Sequence, residues 1–127
     1  MSIVSVSLDD ELLEEVDGFV EEQGFSGRSE VFRTALRSLM SDRRRVSRLE
    51  GVLDAVLMVT VADGESGKVD TVQHRHQEIV TTQLHNHLEG GTCLEVFVVH
   101  GEAEEVQKFY ERLQSLDTVN QVKMVSP

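Results

Sequence analysis

From Met1 to Leu8 the chain reads MSIVSVSL, with Val4, Val6 and Leu8 on one face and Ile3, Ser5 and Ser7 on the other, a period of two that predicts a strand. No turn and second strand follow it. A solitary strand must pair elsewhere, and the simplest partner is its own copy in a second chain. Ser7-Leu8-Asp9-Asp10 then has capping-box spacing. Leu12, Leu13, Val16, Phe19 and Val20 recur at helical intervals up to Gly24, predicting a helix over 9–22. A second helix opens near Arg28-Ser29-Glu30, carries Val31, Phe32, Ala35, Leu36, Leu39 and Met40 on one face, and runs to about Arg48. A strand and two helices in under fifty residues are too little to close a core, so folding and dimerisation are expected to be coupled.

The pattern changes at Gly51. Residues 52–61 are apolar and β-branched enough for a buried strand, and 62–68 (ADGESGK) read as a loop. The spacing predicts a helix over 70–83, then strands over 84–89 and 92–100 joined at Gly90-Gly91. Residues 102–116 are amphipathic through Val106, Phe109, Tyr110 and Leu113, and 118–125 form a last strand. The order β-α-β-β-α-β is that of ferredoxin-like domains. The expected architecture is therefore α+β, with domains at 1–50 and 51–127 and a hinge at Glu50-Gly51.

Charge sharpens this division. The net charge is −11, which alone argues against a polyanionic partner. Yet Arg28 to Arg48 holds seven Arg against only Glu30 and Asp42, so positive charge is concentrated on the second helix. Only 3 Lys accompany 9 Arg and 23 acidic residues, a balance suited to a salty cytoplasm that screens self-repulsion. With no Trp, five Phe and one Tyr, the chain lacks the aromatic platform of a single-strand binder. No apolar run approaches the roughly 18 residues of a membrane span, and MSIVSVSLDDE has neither a basic nor an apolar leader region. A soluble, cytoplasmic protein without membrane contact is expected.

All five histidines follow residue 73. His85 and His87 lie two apart on a strand and so present both imidazoles to one side. Whether Cys93 joins them depends on the turn: a two-residue connection places it on the opposite face, whereas a three-residue loop over 89–91 pairs it with His87. A metal site therefore requires the three-residue loop or a bulge. His74 and His76, two apart on a helix, diverge by about 200°, so at most one serves the same ion, and it can come from another subunit. Imidazoles with a thiolate suit Zn(II), Ni(II) or Cu(II), and spacing alone does not choose between them. No HExxH, CxxC or nucleophile elbow is present, and four protein ligands leave no open position for a substrate, so an enzyme is not expected.

Residues 1–48 resemble a ribbon-helix-helix DNA-binding domain. The whole chain resembles the nickel-responsive transcriptional regulators of the NikR family, which join that domain to an ACT-like, ferredoxin-type metal-binding domain. The resemblance rests on His74 and His85-x-His87-x5-Cys93, with support from Leu8-Asp9-Asp10-Glu11-Leu12-Leu13 and Gly27-Arg28-Ser29-Glu30. It implies an intertwined ribbon-helix-helix dimer at each end of a homotetramer. It also implies one Ni(II) per chain, held by His85, His87 and Cys93 with His74 of a neighbouring chain. Metal-loaded members bind a double-stranded DNA operator and typically repress nickel uptake. The base-reading face of the ribbon would be Ile3, Ser5 and Ser7, with Arg28, Ser29, Arg33 and Arg37 near phosphates. Two other classes suit such a chain: an antitoxin-like, metal-independent ribbon-helix-helix repressor, and an ACT-type sensor of a small molecule.

Overall fold

The computed structural model describes residues 1–127 and divides into two compact units, 1–44 and 45–127. The division falls six residues before the hinge expected at Glu50-Gly51. The physical reason is Val46, which lies in the hydrophobic core of the second unit with Leu49 packed against that core. The last turn of the second helix thus belongs to the second unit.

In the first unit, α1 (Asp10–Glu22) and α2 (Arg28–Ser47) form as the periodicity predicts. The N-cap of α1 is Asp9 rather than Ser7: its carboxylate accepts the Leu12 N–H at 2.8 Å, satisfying one of the free donors at the helix start. Gly24, at φ +72°, supplies the left-handed residue that ends α1. Glu30 accepts from both the backbone N–H and the hydroxyl of Ser26, anchoring the start of α2. The strand expected over 1–8 forms no ladder in the single chain, because no other strand in this unit offers it hydrogen-bonding partners. Ile3, Val4 and Val6 are exposed, as are Leu12, Phe19, Leu36, Leu39 and Met40, leaving Val16 as the only buried hydrophobic side chain here.

The second unit is a four-stranded antiparallel sheet in the order β2-β3-β1-β4, built from β1 (Val52–Ala62), β2 (Val80–Leu88), β3 (Thr92–Glu102) and β4 (Val119–Val125). Two helices, α3 (Gly67–Arg75) and α4 (Ala103–Gln114), complete the βαββαβ order. Strand alternation sends Leu57, Val59, Val61, Phe97 and Val99 into one core with Val69 of α3 and Val106, Phe109 and Leu113 of α4. Phe97 and Phe109 meet edge to face, with ring centroids 5.4 Å apart. The opposite sheet face carries Val56, Met58, Leu84 and Val96 in register, and Met58 and Leu84 are exposed.

Two boundaries differ from the expectation. Helix α3 ends at Arg75 rather than continuing to 83, and β2 begins at Val80 rather than 84. The segment 79–82 (IVTT) is β-branched and stiff at χ1, which favours extension over a helical turn. Gly101 permits this start: a Cβ there would meet Ile79 Cγ2 at 2.7 Å, while the His100 N–H donates to Ile79 O at 2.8 Å. His76 caps α3 and is buried, with its ring against Phe109 and its Nε2 2.9 Å from Arg112 Nη1. It is thus a packed core histidine and not a surface ligand. No helix is long and apolar enough to cross a membrane.

Candidate metal centre

The β2–β3 hairpin decides where Cys93 points. His87 pairs with Cys93 and Leu88 with Thr92, so the connection is the three-residue loop Glu89-Gly90-Gly91. Gly90 and Gly91, at φ +86° and +81°, occupy the left-handed region that the reversal requires. His85 pairs with Glu95, so both imidazoles share a sheet face with the thiol. One ligand atom from each of His85, His87 and Cys93 lies within 4.8 Å of the others. Cys93 Sγ is 3.3 Å from His87 Nδ1, and the two imidazole centroids are 5.2 Å apart.

The strand positions also explain access. β2 is the edge of the sheet, so the imidazoles on it remain open, with side-chain exposures of 35% for His85 and 74% for His87. Cys93, on the next strand inward, is buried. A soft thiol at the floor and two imidazoles at the rim form an open-sided pocket for a borderline cation.

Two carboxyl groups complete the surroundings. Asp63, in the turn after β1, accepts the Cys93 thiol proton at 2.8 Å and has Oδ1 3.3 Å from His87 Nδ1. The thiol holds the Asp63 carboxyl below its usual pKa, with His87 adding to the effect. Conversely, Asp63 and burial push the Cys93 thiol up, favouring the protonated form until a cation displaces the proton. Glu95 is fully buried, and its Oε1 is 3.1 Å from His85 Nδ1 while Oε2 has no hydrogen-bond partner. Burial, then the charge of Asp70, pushes Glu95 up, opposed by His85. Its contact orients the His85 ring in the manner of the carboxylates that back metal-bound histidines.

The structure brings together three of the four metal ligands named from the sequence. His74 sits on α3 in an open groove lined by Asp70, Thr71 and Gln83, outside the three-donor cluster. Of the residues assigned to DNA, Ile3, Ser5, Ser7, Ser29 and Arg33 are exposed. The Arg28 guanidinium is held by both oxygens of Asp17, at 2.8 and 2.9 Å. Sequence reasoning missed Asp63; the available signal was its place in Ala62-Asp63-Gly64, where an expected strand meets a turn.

Residues 55–126 match the model of the NikR C-terminal nickel-binding domain, and residues 2–42 match the ribbon-helix-helix proteins of the copG family. The chain belongs to the family of nickel-responsive regulators. A relative from Halobacterium salinarum named as such a regulator is 35% identical over 91% of this chain and 83% of its own. Another so named, from Methanocaldococcus jannaschii, is 33% identical over 98% of this chain and 90% of its own. The solved structure of an uncharacterised protein from Thermotoga maritima shares the fold, with a TM-score of 0.56 and 16% identity over 60% of this chain and 98% of that one. The nickel-responsive regulators are not enzymes, and in this chain the ribbon-helix-helix match is followed by the βαββαβ nickel-binding domain, a mixed α+β architecture. The donors fit nickel: two imidazoles and a thiol are a nitrogen and sulfur set that a late first-row divalent ion prefers to water. Bound there, nickel would supply a positive charge that holds His85, His87 and a deprotonated Cys93 in one fixed arrangement.

Proposed function

We propose that this protein is a homotetrameric, cytoplasmic, nickel-responsive repressor that binds a double-stranded DNA operator and limits nickel uptake. The observation that carries the reading is the convergence of His85, His87 and Cys93 within 4.8 Å at an open sheet edge. Each chain binds one Ni(II) through these three, and His74 of a neighbouring chain supplies the fourth donor. His74 is exposed and leaves its own chain's cluster, which is what a donor to a neighbour requires.

Residues 1–50 bind DNA and 51–127 sense metal and assemble the tetramer. The uncovered sheet face with Met58, Leu84 and Val96 supports assembly, because apolar area of this kind gains roughly 25 cal/mol per Å² on leaving water. In the first domain, residues 1–8 pair with their copies in a second chain, placing Ile3, Ser5 and Ser7 toward base edges in the major groove. Arg28 is engaged by Asp17, so its end of α2 meets phosphate chiefly through backbone N–H groups, with Ser29 and Arg33 beside them. Nickel at the chain-to-chain site sets the separation of the two ribbon pairs, which couples metal to DNA affinity.

A nickel titration of reduced protein, followed by absorption and then by operator binding, tests this. The expected result is saturation near about one equivalent per chain with a thiolate-to-nickel band, and DNA binding that tightens with metal. Equal DNA affinity with and without nickel would sink the reading in favour of a metal-independent repressor.

A further inference from the structure

The donor cluster has a neighbour that its motif does not contain. Asp63 precedes Cys93 by thirty residues, yet its Oδ1 touches Cys93 Sγ at 2.8 Å and stands 3.3 Å from His87 Nδ1. This placement is built into the backbone. The Asp63 N–H donates to Gly91 O at 2.9 Å, tying the turn after β1 to the hairpin loop that sets Cys93. The second carboxylate oxygen lies over the same loop, 4.0 Å from where a Cβ on Gly91 would stand.

A thiol donating to a carboxylate in front of two imidazoles differs from a metal site by one proton and one ion. When a divalent cation enters, the S–H bond breaks, a bond from sulfur to the cation forms, and the proton leaves to solvent. Asp63 then loses its hydrogen-bond donor and faces a cation instead. Two negative groups, the thiolate and the carboxylate, balance the charge of one divalent ion in a pocket whose floor is buried.

We propose that Asp63 is a fourth, same-chain donor, so that one chain captures a divalent ion through His85, His87, Cys93 and Asp63 before a second chain contributes. This rests on the assignment of His85, His87 and Cys93 as nickel ligands. The site then has two states of different donor chemistry: one with an oxygen, complete within a chain, and one in which His74 of a neighbour replaces that oxygen by nitrogen. Asp63 is suited to leaving, since its side chain is 46% exposed and its backbone anchor survives rotation of the carboxylate. Capture of the ion is thereby separated from its report across the chain-to-chain interface. An oxygen donor also widens the range of ions held in the first state, because Zn(II) accepts carboxylate readily.

The test uses the full chain and nickel alone, read by thiolate-to-nickel absorption and by equivalents bound. Both substituted side chains are exposed, so His74→Ala and the double variant His74→Ala/Asp63→Ala keep the core intact. His74→Ala is expected to bind nickel more weakly than the unsubstituted chain yet still to take up about one per chain, and adding Asp63→Ala to weaken binding by about a further tenfold or more. Equal affinities for the two variants overturn the proposal, as does loss of all nickel in His74→Ala. Absence of nickel binding by the unsubstituted chain, measured first, instead overturns the ligand assignment on which the proposal stands.

Discussion

The two units of this chain bury their apolar residues very differently. The second closes a core in which Leu57, Val59, Phe97, Val106, Phe109 and Leu113 are inaccessible to water. The first buries only Val16 and leaves Phe19, Leu36, Leu39 and Met40 about half exposed. Both obey the same helical periodicity, so the difference lies in what the periodic face meets. In the second unit the partner is a sheet from the same chain; in the first, under the proposed assembly, it is another chain. The metal cluster is therefore placed on the unit with a closed core, and the residues assigned to DNA on the unit whose apolar face is open.

The largest test of this contrast is Phe109→Ala, which removes a ring packed against both Phe97 and His76 and should cost about 3–5 kcal/mol in denaturant unfolding of the second unit. A much smaller loss would mean that the second unit also depends on association. Nickel should act on the same transition in the opposite direction. At about a thousandfold excess over its dissociation constant it stabilises the second unit by about 4 kcal/mol, and Cys93→Ser should abolish most of that gain. Leu39→Ala separates the two units more directly. On a face left in water the change is nearly neutral, but on a face buried in a dimer it should cost about 2 kcal/mol or more and vary with protein concentration.

Acid provides the gentlest test. Burial, followed by the positive charge of Arg112, lowers the His76 pKa from its ordinary 6.5 in the folded chain. As pH falls below about 6.5 the unfolded chain takes up a proton that the folded chain refuses. Stability from this source is therefore complete above that pH and declines as pH drops toward the lowered value. Unfolding midpoints of the metal-free protein at pH 7.5 and 5.5 should differ for this reason, and His76→Gln, which can still accept from Arg112, should flatten the slope.

Much of this organisation was legible in the residue pattern, for reasons that also explain the misses. β1 and α4 read clearly because each has a dominant core-facing side: alternate residues of β1, and Val106, Phe109 and Leu113 of α4. The pattern places the start of β2 four residues late, because the strand is exposed along nearly its whole length and carries no alternation to reveal it. The pattern of residues 1–8 signals a strand, but no strand of the chain pairs with it. At the site, the shared face of His85 and His87 followed from their spacing alone. The side on which Cys93 falls depended on a loop length that two adjacent glycines left open. Asp63 was illegible because its approach to Cys93 is a product of the β1–β3 register, which places Val61 opposite Cys93.

The hairpin loop finally bears on how this site can change over generations. The facing of Cys93 is fixed twice, by its pairing with Val61 of β1 and with His87 of β2, so a residue gained or lost within the loop 89–91 lengthens or shortens the connection and leaves the donors on one face. Side chains on a strand alternate, so a residue gained or lost inside β2 or β3 is different: it shifts the alternation and turns a donor to the far side of the sheet. Tolerance here is thus governed by place rather than by size: the loop can change length, whereas a single codon added within a strand removes a donor from the site.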